Sequence, residues 1–282
     1  MICYPFAVDN VMTRVFEAGT GDKVVVLQHG LTSRADRWRQ TVAALAAQGY
    51  HVYAADLPGH GFASKDSSCD QSISGYRDFL LRFLDKIGAK RAHLVGTSLG
   101  GHVVAAAAIS QPERIETLTM IGSLGLLPIP AERIATVRSW LSDMSASAMR
   151  ERLLRVFTDP RHVTDDLVQE DVMVNTSPGA VASLERFLDY MQARFNDELV
   201  LQDLVSLGGR FPLLLLWGEM DQSVPVSVAH AARQALPHAR LVTLAAVNHT
   251  PYIERPDLFE PVLLDFMSGQ HGRFVADGVA YF

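Results

Sequence analysis

The sequence predicts an α/β fold: a mostly parallel sheet with helices on both faces and a helical cap insertion. Three observations carry that expectation. Short β-branched or leucine-rich runs alternate with longer helical patterns. The strand-like runs are continuously apolar rather than alternating, as in a sheet covered on both faces. Most of them end on a turn residue, and in such sheets the working residues sit beyond the carboxyl ends of the strands.

The strand candidates, in order, are residues 24–28 before His29-Gly30 and 51–55 before Asp56-Leu57-Pro58-Gly59. Residues 92–95 end at Gly96, 117–121 at Gly122 and 212–217 at Gly218, and 240–244 precede Ala245. Helical patterns fill the gaps. Residues 38–48 carry Val42, Leu45 and Ala46 at helical spacing and stop at Gly49. Residues 73–87 put Tyr76, Phe79, Leu80, Phe83, Leu84 and Ile87 on one face and stop at Gly88. The alanine-rich 98–110 stops before Pro112, 226–236 stops at Pro237, and 257–267 stops near Gly269.

The alternation breaks at 127–206, which contains no convincing strand. Helices are expected there at 131–144, 148–157, 165–174 and 180–195. The stretch holds 13 Asp/Glu, 8 Arg and no Lys, a balance of −5 out of the whole chain's −6. Met144, Met149, Met173 and Met191 lie in it, as core filler or as the lining of an adaptable pocket. The expected organisation is a core domain from 1–126 and 207–282, split by a cap at 127–206. The tail after Gly269 has weak periodicity and is expected to fray or pack outside.

Composition removes several function classes. A chain of 282 residues buries roughly 75% of its unfolded surface and needs no disulfide or metal to fold. Hydrophobic residues at 48% and charged residues at 20% argue against disorder. A net charge of −6 argues against a nucleic-acid or anionic-membrane partner, since phosphate binding needs a basic face. The cations are 21 Arg and 4 Lys, so there is no polylysine segment. Cys3 and Cys69 form neither a zinc site nor a disulfide framework and read as free thiols. The opening residues carry no charged-then-apolar leader, and the longest apolar runs fall short of a membrane span. The expectation is a cytoplasmic protein with a small-molecule acyl partner, no cofactor and no metal.

The strongest local signal is Gly96-Thr97-Ser98-Leu99-Gly100-Gly101, a Gly-x-Ser-x-Gly elbow between a strand pattern and a helix pattern. The sharp turn lifts the serine hydroxyl clear of the sheet, and the glycines remove Cβ atoms that would collide with neighbouring backbone. The following helix points its positive end at the site. A phosphate-loop lysine is missing, because His102 follows Gly101. Serine needs a base, and the base needs an orienting acid. With this elbow the chain order is Ser, acid, His. His249, just past the last strand pattern, is the base candidate. His162 falls in the cap, His230 inside a helix, His238 after a helix-stopping proline and His271 in the tail. Asp221 lies in the loop after residues 212–217, with Glu219 a rival acid two residues away. Backbone amides of Leu99 and Leu31 are the candidate oxyanion donors. His29 is expected to shape the Leu31 loop through hydrogen bonds rather than act as a second base.

These motifs together resemble the α/β-hydrolase superfamily, in its large group with a helical cap. Gln28 to Leu31, Asp56 to Gly61, Gly96 to Gly101, Trp217 to Pro225 and Asn248 to Pro256 follow that group's pattern in order, across residues 11–268. The resemblance implies Ser98 as nucleophile, His249 as base and Asp221, in preference to Glu219, as acid. It implies a structural Asp56 tying down the Pro58-Gly59 turn. Asn248 stands where relatives commonly carry Gly, and is expected to keep a left-handed conformation. Dehalogenases and epoxide hydrolases of this fold use an Asp nucleophile, so Ser98 disfavours both. Hydrolases that cleave carbon–carbon bonds of ring-fission products usually carry Gly-Pro-Gly after the His-Gly and a Trp after the catalytic His. This chain has Leu31-Thr32-Ser33-Arg34 and Thr250 at those places.

The first reading is therefore a serine hydrolase of a carboxylic ester, thioester or lactone with a small to medium, mostly apolar acyl group, working through an acyl-enzyme. The alternative is a carbon–carbon hydrolase of a vinylogous keto-acid, with Arg34, Arg37 and Arg39 as a carboxylate clamp. Its competitor is three solvated helix-start arginines, and the acidic cap gives an anionic substrate no electrostatic help. A third reading, a non-enzymatic ligand receptor on the same fold, needs no intact triad. Substrate-binding residues, acyl group and oligomeric state are left open by the sequence.

Overall fold

The computed structural model describes residues 1–282. Its strands are β1 (Ile2–Val8), β2 (Val11–Ala18), β3 (Val24–Gln28), β4 (His51–Ala55), β5 (Ala92–Thr97), β6 (Ile115–Ile121), β7 (Leu213–Gly218), β8 (Arg240–Leu244) and β9 (Val279–Tyr281). They form one sheet in the order β1-β2-β4-β3-β5-β6-β7-β8-β9. The segment from β4 to β8 in that order is parallel, and β1, β2 and β9 pair antiparallel at the two ends. Every residue of β5 and β7 is buried, the reason their sequences are unbroken apolar runs.

The core helices are α1 (Arg39–Ala47), α2 (Ile73–Lys86) and α3 (Leu99–Ser110). Between β6 and β7 come α4 (Ala131–Ser142), α5 (Ala146–Val156), α6 (Asp165–Asn175), α7 (Ala180–Arg194) and α8 (Leu201–Ser206). The last are α9 (Val226–Ala235), α10 (Pro251–Glu254) and α11 (Pro256–Met267). One face of the sheet buries Tyr76, Phe79 and Phe83 of α2 with Val103 and Ala107 of α3 and Ala229 of α9. The other buries Val42 and Leu45 of α1 with Phe259 and Leu263 of α11. A fully buried leucine or phenylalanine contributes about 1.5–3 kcal/mol, so these two layers fix the sheet.

The expected strands and helices all form, with ends shifted by a few residues. Trp38 belongs to a 3₁₀ turn, Ala35–Trp38, ahead of α1, and stacks on Tyr252 at 3.9 Å between ring centres. Two differences stand out. The β1–β2 hairpin was not expected, because β1 contains Pro5 and exposes alternate residues, as an edge strand does. The tail does not fray: Val279–Tyr281 pairs with β8, and Phe282 N–H donates to Leu241 O at 2.9 Å. Three residues are too few to show a periodicity. No helix is long and apolar enough to cross a membrane.

The helical insertion is bolted to the core by charge. Arg34, only 2% exposed in its side chain, bonds Asp36 at 3.0 Å, Glu170 of the insertion at 2.6 Å and the buried Asp171 of α6. Arg37 reaches the same Asp171 oxygen at 2.5 Å. A second tie runs from His102 Nε2 to the Glu198 carbonyl at 2.7 Å. Cys3 is exposed and Cys69 buried, and both are free thiols.

Asp56 is fully buried and accepts from Ala35 N at 2.7 Å, Phe62 N at 2.9 Å and Arg14 Nε at 3.0 Å. It fastens the turn one step beyond Pro58-Gly59, where a Cβ on Gly61 would come within 2.5 Å of its carboxyl carbon. Asp56→Ala strands two amides and a largely buried guanidinium. The expected cost is about 3–5 kcal/mol, read as a lower urea midpoint with an unchanged slope.

Candidate active site

Ser98 stands on the turn between β5 and α3 with φ 55° and ψ −119°. A non-glycine residue held there stores strain of order 1–3 kcal/mol, which the surrounding packing must impose. Here it does. Ser98 N donates to Ile121 O of β6 at 2.8 Å, and Leu124 N and His102 N close on Ser98 O at 3.1 and 3.3 Å. Side chains at Gly96 or Gly100 would run into backbone carbonyls, so the elbow can form only with glycine at both places.

The candidate acid and base, Asp221 and His249, follow β7 and β8, the second and third strands beyond β5 in the sheet. His249 Nδ1 and Asp221 Oδ2 lie 2.7 Å apart, with both side chains buried. The other oxygen of Asp221 accepts from Ser223 N and Val224 N, each at 2.8 Å, which fixes the carboxylate. Glu219 is turned away and accepts from Thr243 Oγ1 at 2.8 Å, so Asp221 is the acid that meets the imidazole. Donation from Nδ1 leaves Nε2 as the acceptor. Ser98 and His249 line one cavity without a hydrogen bond between them, a contact that often tightens only with substrate bound. Burial pulls the His249 imidazole down. The charge and hydrogen bond of Asp221 outweigh it, Glu254 adds to them, and the net result lies above the usual imidazole value.

Leu31 lines the cavity and its amide donates to no protein group, while Leu99 is the first residue of α3, where helix amides lack intrahelical partners. Ser33 N donates to Gly30 O at 3.2 Å, closing a turn with Thr32 at φ 55°. His29 has the shaping part expected of it. Nδ1 bonds the Gly30 carbonyl at 2.8 Å and Nε2 accepts from Leu57 N at 2.9 Å, while burial depresses its basicity.

The cavity, about 370 Å³, lies between the strand ends and the insertion. Met149 and Met191 line it, whereas Met173 is exposed and Met144 packs against the core. The expected clamp of Arg34, Arg37 and Arg39 is not available. Asp171 takes the first two, and Arg39 lies over the Phe16 ring at 5.4 Å, away from the cavity. Of the three only Arg39 is solvated: a carboxylate from the insertion, invisible in local sequence, buries Arg34 and half-buries Arg37. Asn248 is also corrected. The left-handed residue is Ala246, at φ 55°, and Asn248 instead ties two loops. Its Oδ1 accepts from Gln222 N at 3.0 Å and its N–H donates to Glu254 Oε1 at 3.1 Å.

Two supporting residues escaped sequence reasoning. Gly122, at φ 47°, ends β6, and a Cβ there would sit 2.8 Å from Asp221 Oδ2 and 2.9 Å from His249 Nδ1. Its signal was a glycine at a strand end between those bearing Ser98 and Asp221. Glu254 accepts from Thr250 N at 3.3 Å and Thr158 N at 2.7 Å, bracing the His249 loop against the insertion. Thr250-Pro251 followed by Glu254 is the cap, first-turn proline and first-turn acid of a helix start, readable in the sequence.

A serine on a strand-to-helix elbow, facing an aspartate–histidine pair on the following strand ends, defines a hydrolase of the α/β class. Residues 23–256 match the model of the alpha/beta hydrolase fold family, and the chain belongs to that family. It is 30% identical over 270 residues to a 2-hydroxy-6-oxononadienedioate/2-hydroxy-6-oxononatrienedioate hydrolase of Paraburkholderia phymatum, covering 89% of each chain. The structure of a 2-hydroxy-6-oxo-6-phenylhexa-2,4-dienoate hydrolase from Rhodococcus sp. strain RHA1 matches with a TM-score of 0.85 at 25% identity, over 95% of this chain and 98% of that one. A bacterial membrane phospholipase A matches with a TM-score of 0.83 at 26% identity, over 95% and 86%.

A base must be neutral to accept a proton, so kcat/KM should fall on acidification through a midpoint above the usual imidazole range. Asp221→Asn removes the charge that does most to raise it and leaves burial opposed by Glu254, so the midpoint moves to lower pH. The rate should drop by about 10⁴-fold, while Glu219→Gln leaves the profile in place. A pH–rate series on the three proteins checks this.

Proposed function

We propose that this chain hydrolyses a carbon–carbon bond beside the ketone of a 2-hydroxy-6-oxo-dienoate, with Ser98 as nucleophile, His249 as base and Asp221 as its orienting acid. The observation that carries the reading is the His249–Asp221 pair beside Ser98 under one cavity, in a chain similar over nearly its full length to hydrolases named for such acids. That similarity supports carbon–carbon cleavage over the ester reading ranked first on sequence.

The chemistry requires a stabilised carbanion. Moving the proton of the 2-hydroxyl to C5 turns the dienol into a 2,6-diketone. Ser98 Oγ then adds to C6 while His249 Nε2 takes its proton. The new oxyanion is held by the Leu31 and Leu99 amides. The C5–C6 bond breaks, and its electron pair spreads through C3=C4 onto the C2 carbonyl. His249 returns a proton to that dienolate. Water, deprotonated by His249, then cleaves the acyl-serine ester and releases the acid. The cap, on this reading, is the 127–206 insertion that roofs the cavity and holds water away from the carbanion.

The ester reading has its own support. Thr250 and the Leu31-Thr32-Ser33-Arg34 stretch depart from the ring-fission pattern, Asp171 occupies Arg34 and Arg37, and the phospholipase A shares the fold. Direct competition separates the two. The purified protein should turn over a 2-hydroxy-6-oxo-dienoate with kcat/KM at least about tenfold above p-nitrophenyl esters, and the opposite ranking establishes the esterase. Ser98→Ala should cost either reaction about 10³-fold or more.

A further inference from the structure

We propose that Arg133 and Arg155, held around Trp140 on the insertion, form an anion subsite for a carboxylate carried by the substrate at a distance from the bond broken. The proposal rests on the reading of the Ser98 cavity as the substrate chamber, and it names the class of substrate that chamber takes: one with a carboxylate set away from the reacting carbonyl.

Four arginines line the cavity, and their partners divide them. Arg37 is bonded to Asp171. Arg152 spends its guanidinium on the carbonyls of Ala148, Leu141 and Asp143. Arg133 makes a single long contact, 3.4 Å to the Gln222 carbonyl, and Arg155 makes no hydrogen bond or ion pair. Both instead lie against the same indole, with guanidinium carbons 5.3 and 4.1 Å from the Trp140 ring centre. Stacking on an aromatic face restrains a guanidinium while leaving its N–H fork free, the arrangement suited to bidentate capture of a carboxylate. Two cations on one ring repel each other, and an arriving anion relieves that repulsion. The single acid lining the cavity is Asp171, already shared by Arg34 and Arg37.

The location fits a distal group. Arg133 sits on α4 and Arg155 on α5, whereas Ser98 lies at the end of β5 beneath them. The contact of Arg133 with Gln222 sets it above the loop that carries Asp221. The insertion's net charge of −5 gives the wrong sign for this face, because its acids are spread over its outer surface and over the ties to the core.

The test uses two ester pairs that differ only in a terminal carboxylate. One is mono-p-nitrophenyl glutarate against p-nitrophenyl pentanoate, with the charge on the acyl side. The other is 4-carboxyphenyl butyrate against phenyl butyrate, with the charge on the leaving side. Arg133→Met with Arg155→Met should lower the charged-to-neutral ratio of kcat/KM about tenfold in one pair, through KM. Arg133→Lys with Arg155→Lys, which keeps the charge and loses the fork, should fall between. A ratio within twofold of the unmodified protein in both pairs overturns the subsite. Where an ester is not turned over, its charged and neutral members are titrated calorimetrically into Ser98→Ala with and without the arginine changes, and the same tenfold difference is required. A dienoate left untouched while the ratio responds sinks the carbon–carbon reading and keeps the subsite. A dienoate turned over with an unresponsive ratio does the reverse.

Discussion

The 2.7 Å contact between His249 and Asp221 can exist only because four neighbouring strands end together. Ser98 follows β5, Gly122 follows β6, Asp221 follows β7 and His249 follows β8, and these strands are consecutive in the sheet. Parallel strands lie about 4.8 Å apart, so side chains leaving successive ends converge within one residue's reach. The spacer is as necessary as the functional groups. Gly122 leaves room for the imidazole and carboxylate to close, and its strand gives the carbonyl that bends the Ser98 turn. The site is therefore a property of the sheet's pairing order rather than of any one loop.

That dependence explains what could be read from the residues alone. The elbow was legible because its glycines are demanded locally, by backbone that approaches within a turn. His249 and Asp221 were legible because each follows an apolar strand at the expected place. Asp221 over Glu219 was not decidable locally, since only the direction of the loop separates them, and Thr243 on the neighbouring strand holds Glu219 aside. Asn248 misled for the same reason. Its unusual identity suggested a backbone role, but the left-handed residue is Ala246 and the amide serves as a strut between loops. The edge strands β1 and β9 were missed because they are half exposed and carry weak pattern, and β2, inside the sheet, because Thr13, Arg14 and Glu17 interrupt its apolar run.

Charge was the least legible feature. Three arginines after the His29 loop suggested a clamp, and an acidic cap suggested a surface hostile to anions. Both inferences treated charge as additive along the chain. In the folded protein Asp171, far away in sequence, neutralises Arg34 and Arg37, while Arg133 and Arg155 keep their charge against an indole that offers no counter-ion. Burying the first cluster is costly unless every partner is present, so it stabilises one seating of the insertion more than it stabilises the fold as a whole.

The insertion between β6 and β7 has a consequence for how the molecule is made. Leu118 must find Leu213 before the second half of the sheet can add, and closing a loop of that length is entropically expensive. The elbow can assemble early from β5, α3 and β6, but its two partners arrive only after this distant pairing. Recovery of catalysis during refolding should therefore trail recovery of helical and sheet signals, with the chain passing through a stage in which the serine is already strained and has nothing to act with.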